Sequence, residues 1–149
     1  MSAVFVRPAR ALEMDPAVAA ILGHGWSVDV LLRVLELTGA VALYAHGGYM
    51  LFIPYGDGAW EAHYAMPGPI RGQAALRSAR ACLRAMFTRH KAGVIFGRTP
   101  RDNRAARLMN RLLGARPVAE CTFMDGRRYV LYQLGRSQWA TFSAAQSAR

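Results

Sequence analysis

Thr99-Pro100-Arg101-Asp102-Asn103 opens, and Leu113-Gly114-Ala115 closes, the stretch of sequence that decides the fold. Between them Ala105, Leu108, Met109 and Leu112 fall on one side at helical spacing, and Arg104, Arg107 and Arg111 fall opposite, so an amphipathic helix is predicted over 103–113. Asp102 or Asn103 can cap its start, and Gly114 can adopt the left-handed conformation that ends a helix. Just upstream, Val94-Ile95-Phe96 is a short apolar run of the kind buried in a sheet. Downstream, Val118–Met124 and Tyr129–Leu134 flank Asp125-Gly126, a hairpin signal.

Further upstream, Leu76, Ala79, Leu83, Met86 and Phe87 make one apolar stripe, predicting a helix from about Gly72 to His90. Pro67-Gly68-Pro69 ends a run of three predicted strands, Ala40–His46, Tyr49–Tyr55 and Ala59–Met66. Their joints, Gly47-Gly48 and Gly56-Asp57-Gly58, carry the residue types that tight hairpins require, so the three strands read as an antiparallel meander. Ser27 suits the N-cap of a helix over Val28–Leu37, closed by Gly39. Asp15-Pro16 opens a shorter helix through Ile21-Leu22, and Ala3 to Arg7 around Phe5 suit a first strand ended by Pro8. The order is β, α, α, β, β, β, α, β, α, β, β. It describes an α/β domain with a mixed sheet and helices on both faces, spanning 1–135, followed by a tail over 136–149 that is polar apart from Trp139 and Phe142.

At 149 residues the chain has the size of one domain. Charges, Gly or Pro interrupt every apolar run before the roughly 18–20 residues that span a bilayer, so no membrane partner is expected. Met1 to Pro8 lack a basic segment followed by an apolar one, which predicts no secretion signal and a cytoplasmic location. Cys82 and Cys121 lie in different predicted elements and are expected as reduced core thiols. His24, His46, His63 and His90 have no metal-ligand spacing with either cysteine, so no metal is expected. The 19 basic residues exceed the 9 acidic ones, giving a formal charge of +10 that attracts polyanions: cofactor phosphates, nucleic acid or an acidic protein surface. Arg104, Arg107 and Arg111, with Arg77, Arg80 and Arg84 on or near the polar flank of the earlier helix, could touch a polyanion, but no base-stacking aromatic platform accompanies them, and a solvated basic face accounts for them as well.

The element order and the spacing of Asn103, Ala106 and Gly114, preceded by Arg98-Thr99-Pro100, resemble the GCN5-related N-acetyltransferases (GNAT), over about residues 40–135. The resemblance implies a central, mostly antiparallel sheet of about seven strands with about four helices on both faces. It implies transfer of an acetyl group from acetyl-CoA to an amine acceptor. It assigns acetyl-CoA to the end of the fourth strand (Ala65, Met66), to the turn and helix start that follow (Arg71, Gly72, Gln73, Ala74), and to Asn103, Ala106 and Asn110. In the family that turn reads Gln/Arg-x-x-Gly-x-Gly/Ala, and its backbone N–H groups grip pyrophosphate. Pro69-Ile70-Arg71-Gly72-Gln73-Ala74 fits in two registers, with either Gly72 or Ala74 on the family's glycine. Pro69 removes one backbone donor, and Arg71 can supply a charged one.

Acetyl transfer needs a base for the amine proton, a donor for the oxyanion and a proton for the departing thiolate. Alternation in the fourth strand puts Glu61, His63 and Ala65 on one face and Trp60, Ala62, Tyr64 and Met66 on the other. Glu61 and His63 are therefore neighbours that can act as base and orienter, and the same alternation equally suits a solvated sheet face. The family's acid is a Tyr seven positions after the helix Asn; here Asn110 stands there, and an amide cannot release a proton near neutrality. Two further readings stay open. One is a catalytically reduced GNAT-like binding or structural protein: Pro-x-x-Gly-x-Ala and Thr-Pro-x-x-Asn resemble small GNAT-like proteins of tailed bacteriophages, which implies a virion component or a role in the host cytoplasm. The Trp139/Phe142 tail is then a docking segment for a protein partner, unless it packs on its own sheet, and an exposed edge strand near the C-terminus would permit pairing with further copies. The other is a basic nucleic-acid-binding domain, which rests on charge.

Overall fold

A computed structural model describes residues 7–8, 27–66, 68 and 70–148. The helix expected from Asp15 and most of the first strand lie outside the described residues. The described strands are β1 (Arg7–Pro8), β2 (Val41–Ala45), β3 (Gly48–Gly56), β4 (Ala59–Ala65), β5 (Val94–Pro100), β6 (Arg116–Thr122) and β7 (Arg128–Gly135). The helices are α1 (Val28–Thr38), α2 (Gly72–Thr88), α3 (Arg104–Leu112) and α4 (Arg136–Ser147). The strands form one sheet in the order β1-β2-β3-β4-β5-β7-β6. Every neighbouring pair is antiparallel except β4 and β5, which run parallel. The expected α/β architecture with a mixed, mostly antiparallel sheet is what the chain adopts.

Local chemistry explains the element ends. Ser27 caps α1, its side chain accepting the Val30 N–H, and Gly39 closes it at φ 71°. Of the two candidate caps for α3, Asn103 serves: its Oδ1 accepts the Ala106 N–H at 3.0 Å. Asp57 and Gly58 both take positive φ between β3 and β4, the two-residue turn whose twist matches that of the strands it joins. The β2–β3 turn lies one residue earlier than expected. His46 and Gly47 take the positive-φ positions, and Gly48 pairs with Ala45 as the first residue of β3. Gly48 is glycine because α2 crosses close above it: an added Cβ would clash with Ser78 Oγ and come within 2.5 Å of Met66 Sδ.

The core sits between the sheet and α2. Phe52 and Met50 of β3 meet Ala79, Cys82, Leu83, Met86 and Phe87 of the helix, with Ile95 and Leu134 beside them. Cys82 is in this core, where burial pushes its thiol up to about 12, whereas Cys121 is exposed on β6 and is not a core thiol. The segment from Arg136, read from sequence as a polar tail, is helical. Its start is held by the Gln138 side chain, which accepts the Gly135 N–H at 2.9 Å. Trp139 stacks on Phe87 with ring centroids 5.1 Å apart, and Phe142 lies against Gly114. Among the described residues, no helix is long and apolar enough to cross a membrane.

A further departure concerns α3. Its apolar stripe is not covered: Leu108 is 57% and Leu112 44% exposed, and only Met109 packs onto the core. Helical periodicity finds such a stripe but carries no information on what lies against it.

Candidate active site

β4 and β5 pair over Ala59–Val94, Trp60–Ile95 and Glu61–Phe96, and then diverge. Beyond that point β4 runs on to Ala65 while β5 follows β7 to Pro100. A cleft of about 380 Å³ opens between the two strands, lined by Ala62, His63 and Tyr64 on one side and Gly97, Arg98 and Thr99 on the other, with Asn110 of α3 and Tyr132 of β7 among its walls. A second, more apolar groove of about 600 Å³ runs between the start of α2 and the bare stripe of α3. It is lined by Met66, Ile70, Gly72, Gln73 and Leu76 facing Ala105, Leu108, Met109 and Leu112. Tyr64, Asn103 and Ala106 line both cavities, so the two are continuous at that point.

The expected alternation of β4 holds. Trp60, Ala62, Tyr64 and Met66 pack against the core, which leaves Glu61 and His63 on the other face. That face is not simply solvated, because Glu61 is 2% exposed. Its Oε1 lies 2.7 Å from His63 Nε2 and accepts from Arg98 Nη2 at 2.8 Å, and its Oε2 accepts from the Tyr55 hydroxyl at 3.0 Å. Burial alone would raise the Glu61 carboxyl, but hydrogen bonds from His63 and Arg98, with their charges, outweigh it and hold the group at about 2. Such a carboxylate is a weak base near neutrality. It is well placed to anchor the Nε2 side of the His63 ring, which leaves Nδ1 as the ring nitrogen turned away from Glu61. Burial, and then the bond to Glu61, push the Tyr55 phenol up.

The residues expected to meet a nucleotide cofactor are brought together in part. Gly72 has φ 54° and is followed directly by helical residues, a left-handed-then-right-handed pair of the kind that turns successive N–H groups to one side; the Ala74 N–H already donates to the Arg71 carbonyl at 3.2 Å, which leaves those of Gly72 and Gln73. This favours the register with Gly72, rather than Ala74, on the glycine position. No side chain caps the start of α2, and no acidic residue stands in its first turn. Arg71 folds over the turn, its Nη1 donating to the carbonyls of Met66 and Ile70 at 3.0 and 2.9 Å. Met66, Arg71, Gly72 and Gln73 line the groove; Ala75 rather than Ala74 joins them, and Ala65 ends β4. Asn103 and Ala106 stand where the groove meets the cleft.

Asn110 lines the cleft and donates from Nδ2 to Thr99 Oγ1 at 2.8 Å. The Tyr64 hydroxyl bridges β4 to α3 by donating to the Ala106 carbonyl at 3.3 Å; burial, and then the neighbouring Tyr132, push it up to about 12. Tyr132 itself is 2% exposed, and its hydroxyl has no hydrogen-bond partner among the described residues. An unmatched buried hydroxyl costs about 1–3 kcal/mol. Sequence reasoning missed Arg98, Tyr64 and Tyr132. The alternation Val130-Tyr132-Leu134 marks Tyr132 as inward-facing, and only the fold reveals that it faces the cleft.

Among the described residues no group of three or more His, Cys, Asp or Glu side chains could hold a metal ion. No family model matches the sequence, and no curated protein matches it. Solved structures do match in fold. A ribosomal-protein-S5-alanine acetyltransferase from Vibrio fischeri superposes with a TM-score of 0.71 at 14% identity, covering 93% of this chain and 99% of that one. A variant of spermidine N-acetyltransferase from Vibrio cholerae gives 0.74 at 12% identity, over 93% and 99%. A GNAT-family acetyltransferase from Bacillus anthracis gives 0.67 at 13% identity, over 90% and 95%. The chain therefore has the fold of the GNAT acetyltransferases.

Proposed function

We propose that this chain is an N-acetyltransferase that moves the acetyl group of acetyl-CoA to an amine. The observation that carries this reading is the continuity of three unlike surfaces. A nest of backbone N–H groups at Gly72 suits a pyrophosphate, the apolar groove between α2 and α3 suits an extended pantetheine arm, and the cleft between β4 and β5 suits a thioester. A ligand with an anionic end, a long neutral arm and a reactive tip fits all three at once. The bare apolar stripe of α3 then has an occupant.

In this reading the amine approaches from the face that carries His63. Its nitrogen attacks the thioester carbon while His63 Nδ1 takes the amine proton, and Glu61 holds Nε2–H so that the lone pair points to the substrate. Backbone N–H groups on the edge of β4 that β5 has left behind are the donors for the oxyanion. Arg98 closes the far side of Glu61 and keeps it ionised.

The catalytically reduced reading draws on one observation, that Asn110 cannot protonate a thiolate and is tied to Thr99. The two readings separate on thiol release from acetyl-CoA with a panel of small amines, polyamines and N-terminal peptides. His63→Ala is expected to lower the rate about a hundredfold, the usual worth of a positioned base. Unchanged rates in both His63→Ala and Glu61→Gln would remove the pair from the mechanism.

A further inference from the structure

Acetyl transfer ends with a thiolate that must be neutralised, and the helix position facing the cleft offers only an amide. Asn110 has no dissociable proton near neutrality, and its Nδ2 is committed to Thr99 Oγ1 at 2.8 Å. Tyr64 is on the correct side of the sheet, but its hydroxyl is spent on the Ala106 carbonyl at 3.3 Å. His63 lies on the opposite face of β4, beside Glu61. Cys82 is enclosed in the core. Tyr132 differs from all of these. It projects from β7 on the buried side, lines the same cleft as Asn110 and Ala62, and is the register partner of Gly97 at the point where β4 has left β5. Its hydroxyl is buried and makes no hydrogen bond among the described residues.

We propose that the Tyr132 hydroxyl is the proton donor to the departing thiolate, a catalytic role supplied from β7 instead of from α3. The inference rests on the reading of this chain as an acetyltransferase. A buried hydroxyl with no partner among the described residues is what the wall of such a cleft would hold if its partner were the substrate sulfur. When the amine nitrogen bonds to the acetyl carbon, His63 removes one proton from nitrogen. As the carbon–sulfur bond breaks, its electron pair passes to sulfur and the Tyr132 proton follows, giving the free thiol. The tyrosinate regains a proton from water that enters the cleft as the free thiol leaves, and His63 releases its own to water, so the turnover is balanced with no further reactant.

The test is Tyr132→Phe, which deletes the hydroxyl and keeps the ring. The expected result is a kcat about a hundredfold lower at an unchanged KM for acetyl-CoA, with the melting temperature equal to or above that of the parent. An acetyl thioester of a more acidic thiol, whose thiolate leaves without a proton, should restore most of the lost rate; a merely structural role for the hydroxyl would not produce that rescue. Replacement of Tyr132 by 3-fluorotyrosine serves as the second variant and should move the alkaline limb of the kcat–pH profile to lower pH. A parent enzyme that turns over, with Tyr132→Phe equally fast, overturns the role of Tyr132 alone. A loss of rate that the acidic thioester does not repair, or an alkaline limb that stays in place with 3-fluorotyrosine, also overturns it. A parent chain that binds no coenzyme A overturns both this role and the acetyltransferase reading beneath it.

Discussion

Glu61→Gln should lower stability near neutral pH by about 3 kcal/mol, and the deficit should disappear in acid. Burial raises the Glu61 carboxyl, but the hydrogen bonds and charges of His63 and Arg98 dominate and bring it from 4.5 to about 2 in the folded chain. A group whose folded value lies below its unfolded value favours the native state above the unfolded value, and this contribution is lost as pH falls through the folded one. The window is therefore from about pH 4.5 down to about 2. The glutamine variant has no such proton to take up, so its stability should stay flatter than the parent's across that window. Equilibrium urea unfolding of both proteins at pH 7, 4 and 2.5 measures the effect. A parent and variant that differ equally at every pH would show that the carboxyl titrates alike in the folded and unfolded chain, and would contradict the lowered value.

Gly48→Ala should cost about 3 kcal/mol, near the upper end for forcing one extra methyl into a packed core. The backbone of Gly48 is ordinary strand, so the cost is steric, not conformational. The new Cβ would overlap Ser78 Oγ, sit 2.5 Å from Met66 Sδ and lie 2.9 Å from Ser78 Cβ. Ser78→Gly in the same chain removes both serine atoms and should recover part of the loss. That coupling distinguishes a local clash from a general effect of alanine in β3. Guanidinium midpoints for the two single variants and the double variant provide the measurement, and strict additivity would contradict the packing described here. Because Met66 stands both under this contact and in the groove, Gly48→Ala should also weaken coenzyme binding.

The contrast between these two sites shows which parts of the molecule were legible in the sequence. Features set by a few neighbouring residues could be read directly: Ser27 as a cap and the next cap narrowed to Asp102 or Asn103, Asp57-Gly58 as part of a turn, and the alternation that separates Glu61 and His63 from Trp60 and Tyr64. The fold class followed from these because their order leaves few ways to cover a sheet. Features set by residues far apart in the chain were not readable. Arg98 reaches Glu61 across 37 positions, and Tyr132 enters the cleft only because β7 inserts between β5 and β6. The early divergence of β4 from β5 leaves no mark in either strand's composition. The exposure of the apolar stripe of α3 was not readable either, because periodicity records a face and not its neighbour. Helix α4 was missed for a local reason: Gly135 replaces the polar side chain that usually announces an N-cap, and Gln138 does the capping from within the helix.

The position that singled out this fold, the helix from Asn103 to Gly114, now has two functions that its sequence alone kept apart. Its frame positions the mouth of the cleft through Asn103 and Ala106, and its apolar side forms one wall of the groove. The missing acid at Asn110 is compatible with catalysis if the proton comes from the neighbouring strand. All of this depends on the groove holding coenzyme A. Calorimetric titration of the full chain with acetyl-CoA decides it most directly: saturable one-to-one binding at micromolar Kd, about −8 kcal/mol, with a matching rise in melting temperature, is the expected result. No detectable heat and no thermal shift at millimolar acetyl-CoA would contradict it.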